Sequence, residues 1–175
     1  ILAAGYKEII LVVGFREDMI REFLKTYKFD EVDYKIDIVN QFDILGPKEK
    51  EYGTACPIKC VKDLIQGESF ISLCGDNFYT LEDLKLMNID DEYNYVAGIK
   101  HDNPEKYGVL LTDDGFLKEI IEKPASFVGD LINTSLYKFT PEIFEKVLQI
   151  KKSPRGEYEI TDAISMLAKE GKVKV

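Results

Sequence analysis

The chain has 175 residues, of which 45% are hydrophobic and 31% charged, a balance that argues for a folded globular domain and against a disordered or fibrous protein. Its 32 acidic and 23 basic residues give a net charge of −9, which argues against nucleic acid or an anionic membrane surface as a partner. No apolar run is long enough to span a bilayer, and three cysteines without a Cys-x-x-Cys pair or a signal peptide predict a reduced, cytoplasmic protein.

The first half of the chain alternates predicted strands and helices. Residues 8–14 are a short, β-branched apolar run that ends in glycine, which is typical of a strand buried on both faces in a parallel sheet. Residues 16–28 carry apolar side chains at i, i+3, i+4 and i+7, from Ile20 to Tyr27, which predicts an amphipathic helix. The elements that follow are a strand at 34–41, a polar loop at 45–52, a helix at 55–65 and a strand at 69–74.

The second half adds an antiparallel insertion to this pattern. Residues 112–115, Thr-Asp-Asp-Gly, separate two short apolar runs and are typical of a hairpin turn. The other predicted elements are strands at 93–100 and 131–139 and helices at 141–150 and 159–169. The predicted fold class is therefore α/β, with a Rossmann-like mixed, mostly parallel sheet and helices on both faces.

One carboxylate stands where open α/β sheets bind their ligands, beyond the carboxyl end of a strand. Asp76 directly follows the strand predicted at 69–74, and Gly75 before it permits a tight turn. A carboxylate at this place can bind a hard cation that phosphate oxygens also coordinate. Gly-Asp-Asn is equally an ordinary turn sequence, so on local grounds both interpretations stay open.

Three further segments carry residues suited to anionic ligands. Residues 53–55, Gly-Thr-Ala, open a predicted helix whose backbone amides can accept a base or an anion, unless Thr54 simply caps that helix. Lys123 ends a strand next to Glu122 and can contact a phosphate or lie in solvent. Asp162 lies where the last predicted helix begins, a position at which carboxylates commonly interact with the helix dipole.

The cysteines allow two interpretations. Cys56 and Cys60 lie four residues apart, which on a helix places both thiols on one face. A metal site is conceivable there, but no matching His or Cys cluster completes a ligand set. Two small buried thiols are therefore the favoured interpretation.

The order of the short motifs is more specific than any one of them. In chain order they are Gly53–Thr54–Ala55, Gly75–Asp76–Asn77, Asn103–Pro104 with Tyr107–Gly108–Val109, Glu122–Lys123–Pro124, Leu131–Ile132–Asn133 and the run from Arg155 to Ala163. Together they resemble the sugar-1-phosphate nucleotidylyltransferase family, and within it the glucose-1-phosphate thymidylyltransferases and their archaeal relatives. The resemblance covers nearly the whole chain, since residues 4–14 are similar to the family's second strand and the helix end before it.

This resemblance implies a role for individual residues. It implies nucleotide binding by Gly53, Thr54 and Ala55; sugar-phosphate binding by Gly108, Glu122, Lys123 and Asn133; Mg²⁺ binding by Asp76 and Asp162; and catalysis by Asp76, Lys123 and Asp162. The physical chemistry agrees, because both reactants are anions: a metal held by two carboxylates offsets their repulsion, and a lysine places a positive charge on the attacking phosphate. The implied partners are an NTP and a sugar 1-phosphate, with a homo-oligomer as an option.

Two departures from the family pattern concern the sugar and the triphosphate. Many relatives have Ala-Gly after the asparagine, whereas Thr134 and Ser135 follow Asn133 here. The family's glycine-rich loop with its arginine, and the Pro-Lys further on, are absent from this sequence, so either the chain begins within the helix before the second strand or that loop is left out of it. Residues 1–175 are accordingly expected to form a single nucleotidyltransferase domain without the glycine-rich loop and without a C-terminal extension.

The favoured reaction joins dTTP or UTP to glucose 1-phosphate. The alternative sugars are N-acetylglucosamine 1-phosphate and mannose 1-phosphate. The alternative class of protein is a non-catalytic paralogue that binds nucleotide sugars as a regulatory subunit. The presence of both Asp76 and Asp162 argues against this alternative, because a binding module would not need two metal carboxylates.

Overall fold

The computed structural model describes residues 1–27 and 33–175, so the last residue of the helix predicted at 16–28 lies outside the described residues. The helices are α1 (Glu17–Thr26), α2 (Gln41–Leu45), α3 (Cys56–Val61), α4 (Leu81–Leu86), α5 (Glu142–Gln149) and α6 (Ile160–Lys169). The strands are β1 (Glu8–Val13), β2 (Lys35–Asn40), β3 (Phe70–Leu73), β4 (Asn94–Lys100), β5 (Gly108–Asp113), β6 (Phe116–Glu122), β7 (Leu131–Phe139) and β8 (Val173–Lys174). Short 3-10 helices at Leu2–Ala4 and Pro104–Lys106 precede β1 and β5.

Most predicted elements are present, with small shifts at their ends. The strand predicted at 131–139 has the bounds of β7, whereas the helix predicted at 55–65 already ends at Val61 and leaves Leu64 exposed. Three elements, α2, α4 and β8, are not predicted, because their five, six and two residues are too few for a periodic pattern. A capping box between Thr80 and Asp83 stabilises the start of α4.

The strands form two sheets. β1 and β2 pair in parallel, and the remaining strands follow the order β3-β7-β4-β8-β6-β5. The α/β class is confirmed, but the larger sheet is mostly antiparallel: β4 and β8 are parallel, whereas β7 runs antiparallel to β3, β4 and β5, and β6 runs antiparallel to β5 and β8. One cause is the predicted hairpin between β5 and β6, where Asp114 and Gly115 both have positive φ, 49° and 77°.

Alternate residues of the central strands face opposite sides of the larger sheet. Val96 of β4 and Phe139 of β7 face a core formed with α3, α5 and α6. Leu136 of β7 faces a smaller core formed with the α4 segment and the N-terminal 3-10 helix. Helices therefore lie on both faces, as predicted. Within residues 1–27 and 33–175, no helix has the length and apolar character needed to cross a bilayer.

The first predicted helix is present, but its apolar side is exposed. α1 is amphipathic, yet none of the residues Glu17–Thr26 is buried, and Met19, Ile20 and Phe23 are 55%, 40% and 49% exposed. On its polar side Glu17 binds both Arg21 and Asn40, which ties the start of α1 to the end of β2. Burial depends on tertiary contacts, so apolar periodicity predicts the form of a helix but not the surface that covers it.

Candidate active site

A tight turn at Gly53 brings the predicted nucleotide-binding residues against the start of α6. Gly53 has a φ of 131°, a conformation that glycine adopts far more readily than other residues. The Ala55 N–H donates to the Tyr158 carbonyl over 2.9 Å, and the Tyr158 N–H donates to the Tyr52 carbonyl over 2.8 Å. Two segments that are distant in sequence are therefore joined by a short backbone ladder.

The hydroxyl of Thr54 caps a different helix from the one that it precedes. Ala55 is the N-cap of α3, and no side-chain capping bond is made there. Thr54 Oγ1 instead accepts the Ile160 N–H at the start of α6, over 2.9 Å. Ala55 is fully buried, so among the three predicted residues it supports the loop from within the core. The 53–55 loop and the N-terminus of α6 thus form one unit.

Asp162 lies in the first turn of α6. Partial burial, and then the charge of Glu159, raise the pKa of Asp162 above its usual range. Glu159 is itself only 8% exposed and accepts hydrogen bonds from Arg155 Nη2 (2.8 Å) and Ser153 Oγ (3.0 Å). Because the charged form of Asp162 is disfavoured by burial and a second carboxylate, a nearby cation would favour it. The chemistry of this donor group therefore fits a divalent metal ion.

The predicted sugar-phosphate residues meet where the β5–β6 hairpin lies beside β7. Gly108 pairs with Glu122, and a Cβ atom at Gly108 would lie 3.0 Å from Glu122 Oε2 and 3.8 Å from Asn133 Cβ. The absence of a side chain at Gly108 leaves room for the other two. Lys123 follows Glu122 with a φ of 44°; its N–H donates to the Tyr107 carbonyl over 3.0 Å, and its side chain is exposed. Gly108, Glu122 and Asn133 therefore form a second cluster, with Lys123 at its margin.

The side-chain amide of Asn133 is held at both ends. Oδ1 accepts the Ser135 N–H over 3.0 Å, and Nδ2 donates to the Tyr137 hydroxyl over 2.8 Å. Burial raises the pKa of Tyr137, which keeps this hydroxyl neutral. The register between β4 and β7 shifts here, and Thr134 and Ser135, which stand where many relatives have Ala-Gly, lie in the resulting bulge. Ser135 has the left-handed φ, 58°, that glycine would adopt without strain.

The loop that carries Asp76 is tied to the same bulge. Asp76 follows β3 and is exposed. The Asn77 Nδ2 and the Tyr79 hydroxyl both donate to the Thr134 carbonyl, over 3.1 and 2.9 Å. Burial, and then a hydrogen bond with Asp76, raise the pKa of Cys74, so a thiol lies beside this carboxylate. The loop is therefore fixed to the strand segment that directly follows Asn133.

Arg155 is paired with Glu159 at the start of α6. The hydrogen bond with Glu159 and the charge of that carboxylate raise the pKa of Arg155, and the charges of Glu157 and Glu122 add to the shift. Glu159 belongs to the start of α6, whereas Glu122 belongs to the cluster around Gly108. The direct partner of the Arg155 guanidinium is therefore Glu159, and Glu122 contributes only its charge.

The predicted convergence of Asp76 and Asp162 on one ion stays a prediction. Over residues 1–27 and 33–175, no group of three or more His, Cys, Asp and Glu side chains is placed to hold a metal ion. A magnesium site of the predicted kind has two carboxylates and takes its other ligands from phosphates and water. Cys56 and Cys60 are both buried, and burial raises the pKa of Cys60 to about 11, which favours the thiol over the metal-binding thiolate.

Two clefts open beside the 53–55 loop. The smaller, of about 210 Å³, is lined by Gln41, Tyr52, Gly53, Thr54, Pro57 and Glu157. The larger, of about 330 Å³, shares Tyr52 and Glu157 and is also lined by Lys48, Glu49, Lys152, Arg155 and Gly156. Gln41 is not among the predicted site residues, although it directly follows β2, and the strand-end rule that indicates Asp76 also applies to it.

Comparison with known proteins shows similarity to nucleotidyltransferases along the whole chain. A family model described as nucleotidyl transferase matches residues 1–175. The chain is 34% identical over 168 residues to the bifunctional protein GlmU of Methanocaldococcus jannaschii, which covers 95% of this chain and 37% of that protein. It is 31% identical over 172 residues to the low-salt glycan biosynthesis nucleotidyltransferase Agl11 of Haloferax volcanii, covering 96% and 46%. It is 30% identical over 175 residues to the UTP–glucose-1-phosphate uridylyltransferase AglF of the same organism, covering 96% and 67%.

Solved structures share the fold. A crystal structure of UDP-glucose pyrophosphorylase complexed with UDP-glucose superposes with a TM-score of 0.75 at 20% identity, covering 99% of this chain and 74% of that one. A putative glucose-1-phosphate thymidylyltransferase from Bacillus anthracis, in complex with a sucrose, gives a TM-score of 0.70 at 22% identity and covers 94% and 65%. At these identities the likeness establishes the architecture alone. The chain spans between a third and a half of the length of the first two curated relatives.

Proposed function

The chain belongs to the nucleotidyl transferase family, and we propose that it transfers a nucleotidyl group from a nucleoside triphosphate to a sugar 1-phosphate with release of pyrophosphate. The observation that carries the proposal is the bonding of the 53–55 loop to the start of α6, which joins the predicted nucleotide-binding residues to the segment that carries Asp162. The cluster of Gly108, Glu122 and Asn133 offers a place for the sugar phosphate. The printed names of the curated relatives support the same reaction class.

The proposed reaction is a displacement at phosphorus. A phosphate oxygen of the sugar 1-phosphate attacks the α-phosphorus of the NTP and forms a new P–O bond. The bond from the α-phosphorus to the bridging oxygen of the β-phosphate breaks, and its electron pair leaves with pyrophosphate. Lys123 would place its ammonium beside the attacking phosphate, while Glu122 and Asn133 would accept from and donate to the sugar hydroxyls.

Two carboxylates would hold the metal ion. Asp76 and Asp162 would bind Mg²⁺, which would offset the negative charge of the phosphate groups. Asp162 suits this role because partial burial and Glu159 disfavour its charge in the absence of a cation. Asp76 suits it because it is exposed at a strand end while the hydrogen bonds of Asn77 and Tyr79 fix its loop.

The favoured substrates are glucose 1-phosphate with UTP or dTTP. The support is the name of the uridylyltransferase relative, which acts on UTP and glucose 1-phosphate, together with the motif from Arg155 to Ala163. The smaller cleft beside Gly53 is lined by Gln41 and Thr54, residues whose side chains can both donate to and accept from a pyrimidine.

The test is pyrophosphate release by the intact protein, measured with Mg²⁺ over a grid of UTP, dTTP, ATP, GTP and CTP against the 1-phosphates of glucose, N-acetylglucosamine and mannose. We expect the highest kcat/KM for glucose 1-phosphate with UTP or dTTP. If no pair releases pyrophosphate while nucleotide sugars still bind in calorimetry, the proposed activity is wrong and the regulatory alternative replaces it.

Lys123→Ala is expected to lower kcat/KM for the sugar 1-phosphate by about a hundredfold, since one charge-assisted contact to the attacking phosphate is lost. Stability should change by less than about 0.5 kcal/mol, because the side chain is exposed and the Lys123 N–H bond is kept. The matched control is Lys118→Ala, an exposed lysine of β6, the strand that Lys123 directly follows; Lys118 pairs with Asp113 over 3.3 Å. Equal kcat/KM values for the two variants would remove Lys123 from the proposed site.

A further inference from the structure

The ammonium group of Lys59 is enclosed next to the 53–55 loop. Lys59 lies on α3, and its side chain is only 11% exposed. Its Nζ lies 2.9 Å from Glu51 Oε2 and 3.9 Å from the centre of the Tyr158 ring. An ammonium held between a carboxylate and an aromatic face is largely desolvated, so both interactions are stronger than at an open surface. Neither Lys59 nor Glu51 has a role in the proposed reaction.

The three partners belong to the segments that build the nucleotide side of the site. Glu51 immediately precedes Tyr52, whose carbonyl accepts the Tyr158 N–H. Lys59 lies one helical turn after Ala55, and its N–H donates to the Ala55 carbonyl over 3.2 Å. The Tyr158 backbone is bonded to residues 52 and 55, while its ring faces the Lys59 ammonium. Side chains therefore join the same two segments that the backbone ladder joins.

We propose that Lys59 is a positioning residue, which with Glu51 and the Tyr158 ring holds the 53–55 loop against the start of α6. Tyr158 directly precedes Glu159, the N-cap of α6, and Asp162 lies in the first turn of that helix, so a shift of Tyr158 moves this carboxylate relative to Gly53. Lys59 itself touches no substrate and acts through Tyr158. The inference rests on the proposed function and deepens it, because it explains what fixes the position of the nucleotide-binding residues relative to a proposed metal ligand.

A second lysine beside the same ring supplies the matched control. Lys152 Nζ lies 5.8 Å from the centre of the Tyr158 ring, but Lys152 is exposed, and within residues 1–27 and 33–175 it forms no ion pair. Lys59 and Lys152 therefore share a charge and an aromatic neighbour and differ in burial and in the carboxylate. Replacing each with methionine removes the same charge and keeps a chain of similar length.

The first measurement is amide hydrogen exchange of the intact protein without nucleotide. In Lys59→Met we expect the N–H groups of Ala55, Tyr158 and Ile160 to exchange about tenfold faster, because the junction opens more often when the enclosed cation is lost. Lys152→Met should leave these rates unchanged, and Lys59→Arg should restore most of the protection because it keeps the charge. Unchanged rates in the β5–β6 hairpin would exclude a general loss of stability as the cause.

The second measurement is steady-state kinetics of Lys59→Met and Lys59→Arg, compared with the wild type. Lys59→Met should raise KM for the NTP about tenfold while KM for the sugar 1-phosphate stays within about twofold, since the cluster at Gly108 is built by other strands. Unchanged exchange at the junction, or equal effects of Lys59→Met and Lys152→Met on that exchange, would overturn the inference. If the wild-type protein turns over no substrate pair, the proposed function fails, and the exchange rates alone decide whether Lys59 holds the junction.

Discussion

Asp162→Asn is expected to lower kcat of the intact protein by about 10²–10³-fold, because it removes a negative charge from the proposed metal site while keeping the size of the side chain. Asp76→Asn should have an effect of similar size, since the two carboxylates are proposed to bind the same ion. The activity that remains should need a higher Mg²⁺ concentration, which a titration of the metal in the presence of NTP and sugar 1-phosphate measures.

Asp162→Asn should lower the activity of the protein without lowering its stability. Because the pKa of Asp162 is raised, the folded metal-free protein binds this proton more tightly than the unfolded chain does. The charged carboxylate therefore costs stability above the folded pKa, and the cost disappears as the pH falls below the ordinary value for aspartate. Removing the charge should leave the free energy of unfolding at pH 7 unchanged or slightly higher. The increase is limited by the solvent exposure of Asp162 and by the loss of its interaction with the helix dipole.

The matched control for Asp162→Asn is Glu82→Gln. Glu82 is an exposed carboxylate in the first turn of α4, so the change removes the same charge from the first turn of another helix. Its kcat and Mg²⁺ requirement should equal those of the wild type. A kcat for Asp162→Asn within a factor of about two of the control would show that Asp162 holds no catalytic metal.

Local patterns in the sequence predict much of this fold. The β-branched run at residues 8–14 predicts β1, and the Asp114–Gly115 turn predicts the hairpin, because each depends on residues that are neighbours in the chain. The strand-end rule also places Asp76 just after the carboxyl end of β3. Such features need no knowledge of distant contacts, so the sequence is sufficient for them.

Features that depend on distant contacts could not be predicted in the same way. The antiparallel direction of β7 depends on which strands it meets, and the exposure of Phe23 depends on what covers α1. The hydroxyl of Thr54 has an obvious local use as the cap of α3, yet it accepts a hydrogen bond from Ile160, 106 positions away. Nothing in the sequence around Thr54 distinguishes these two uses.

The structural role of Gly53, which precedes Thr54, also depends on distant contacts. As part of Gly-Thr-Ala, Gly53 can be understood as a small residue that leaves room for a ligand, and the structure gives it a further reason. A Cβ atom at this position would lie 2.5 Å from the Tyr158 nitrogen, 2.9 Å from its carbonyl carbon and closer still to its oxygen. These are backbone atoms of the ladder, so they cannot move aside without breaking the bonds to Tyr52 and Ala55.

Gly53→Ala is therefore expected to destabilise the intact protein by about 3 kcal/mol or more, since it combines a backbone clash with a φ of 131° that alanine rarely adopts. The matched control is Gly67→Ala, where φ is also positive, 81°, but no atom lies within 4 Å of the new Cβ. This control should lose only the ~1–2 kcal/mol that a left-handed conformation costs a residue with a side chain. Urea unfolding of both variants measures the difference, and equal losses would show that the junction between residues 52–55 and Tyr158 is not closely packed.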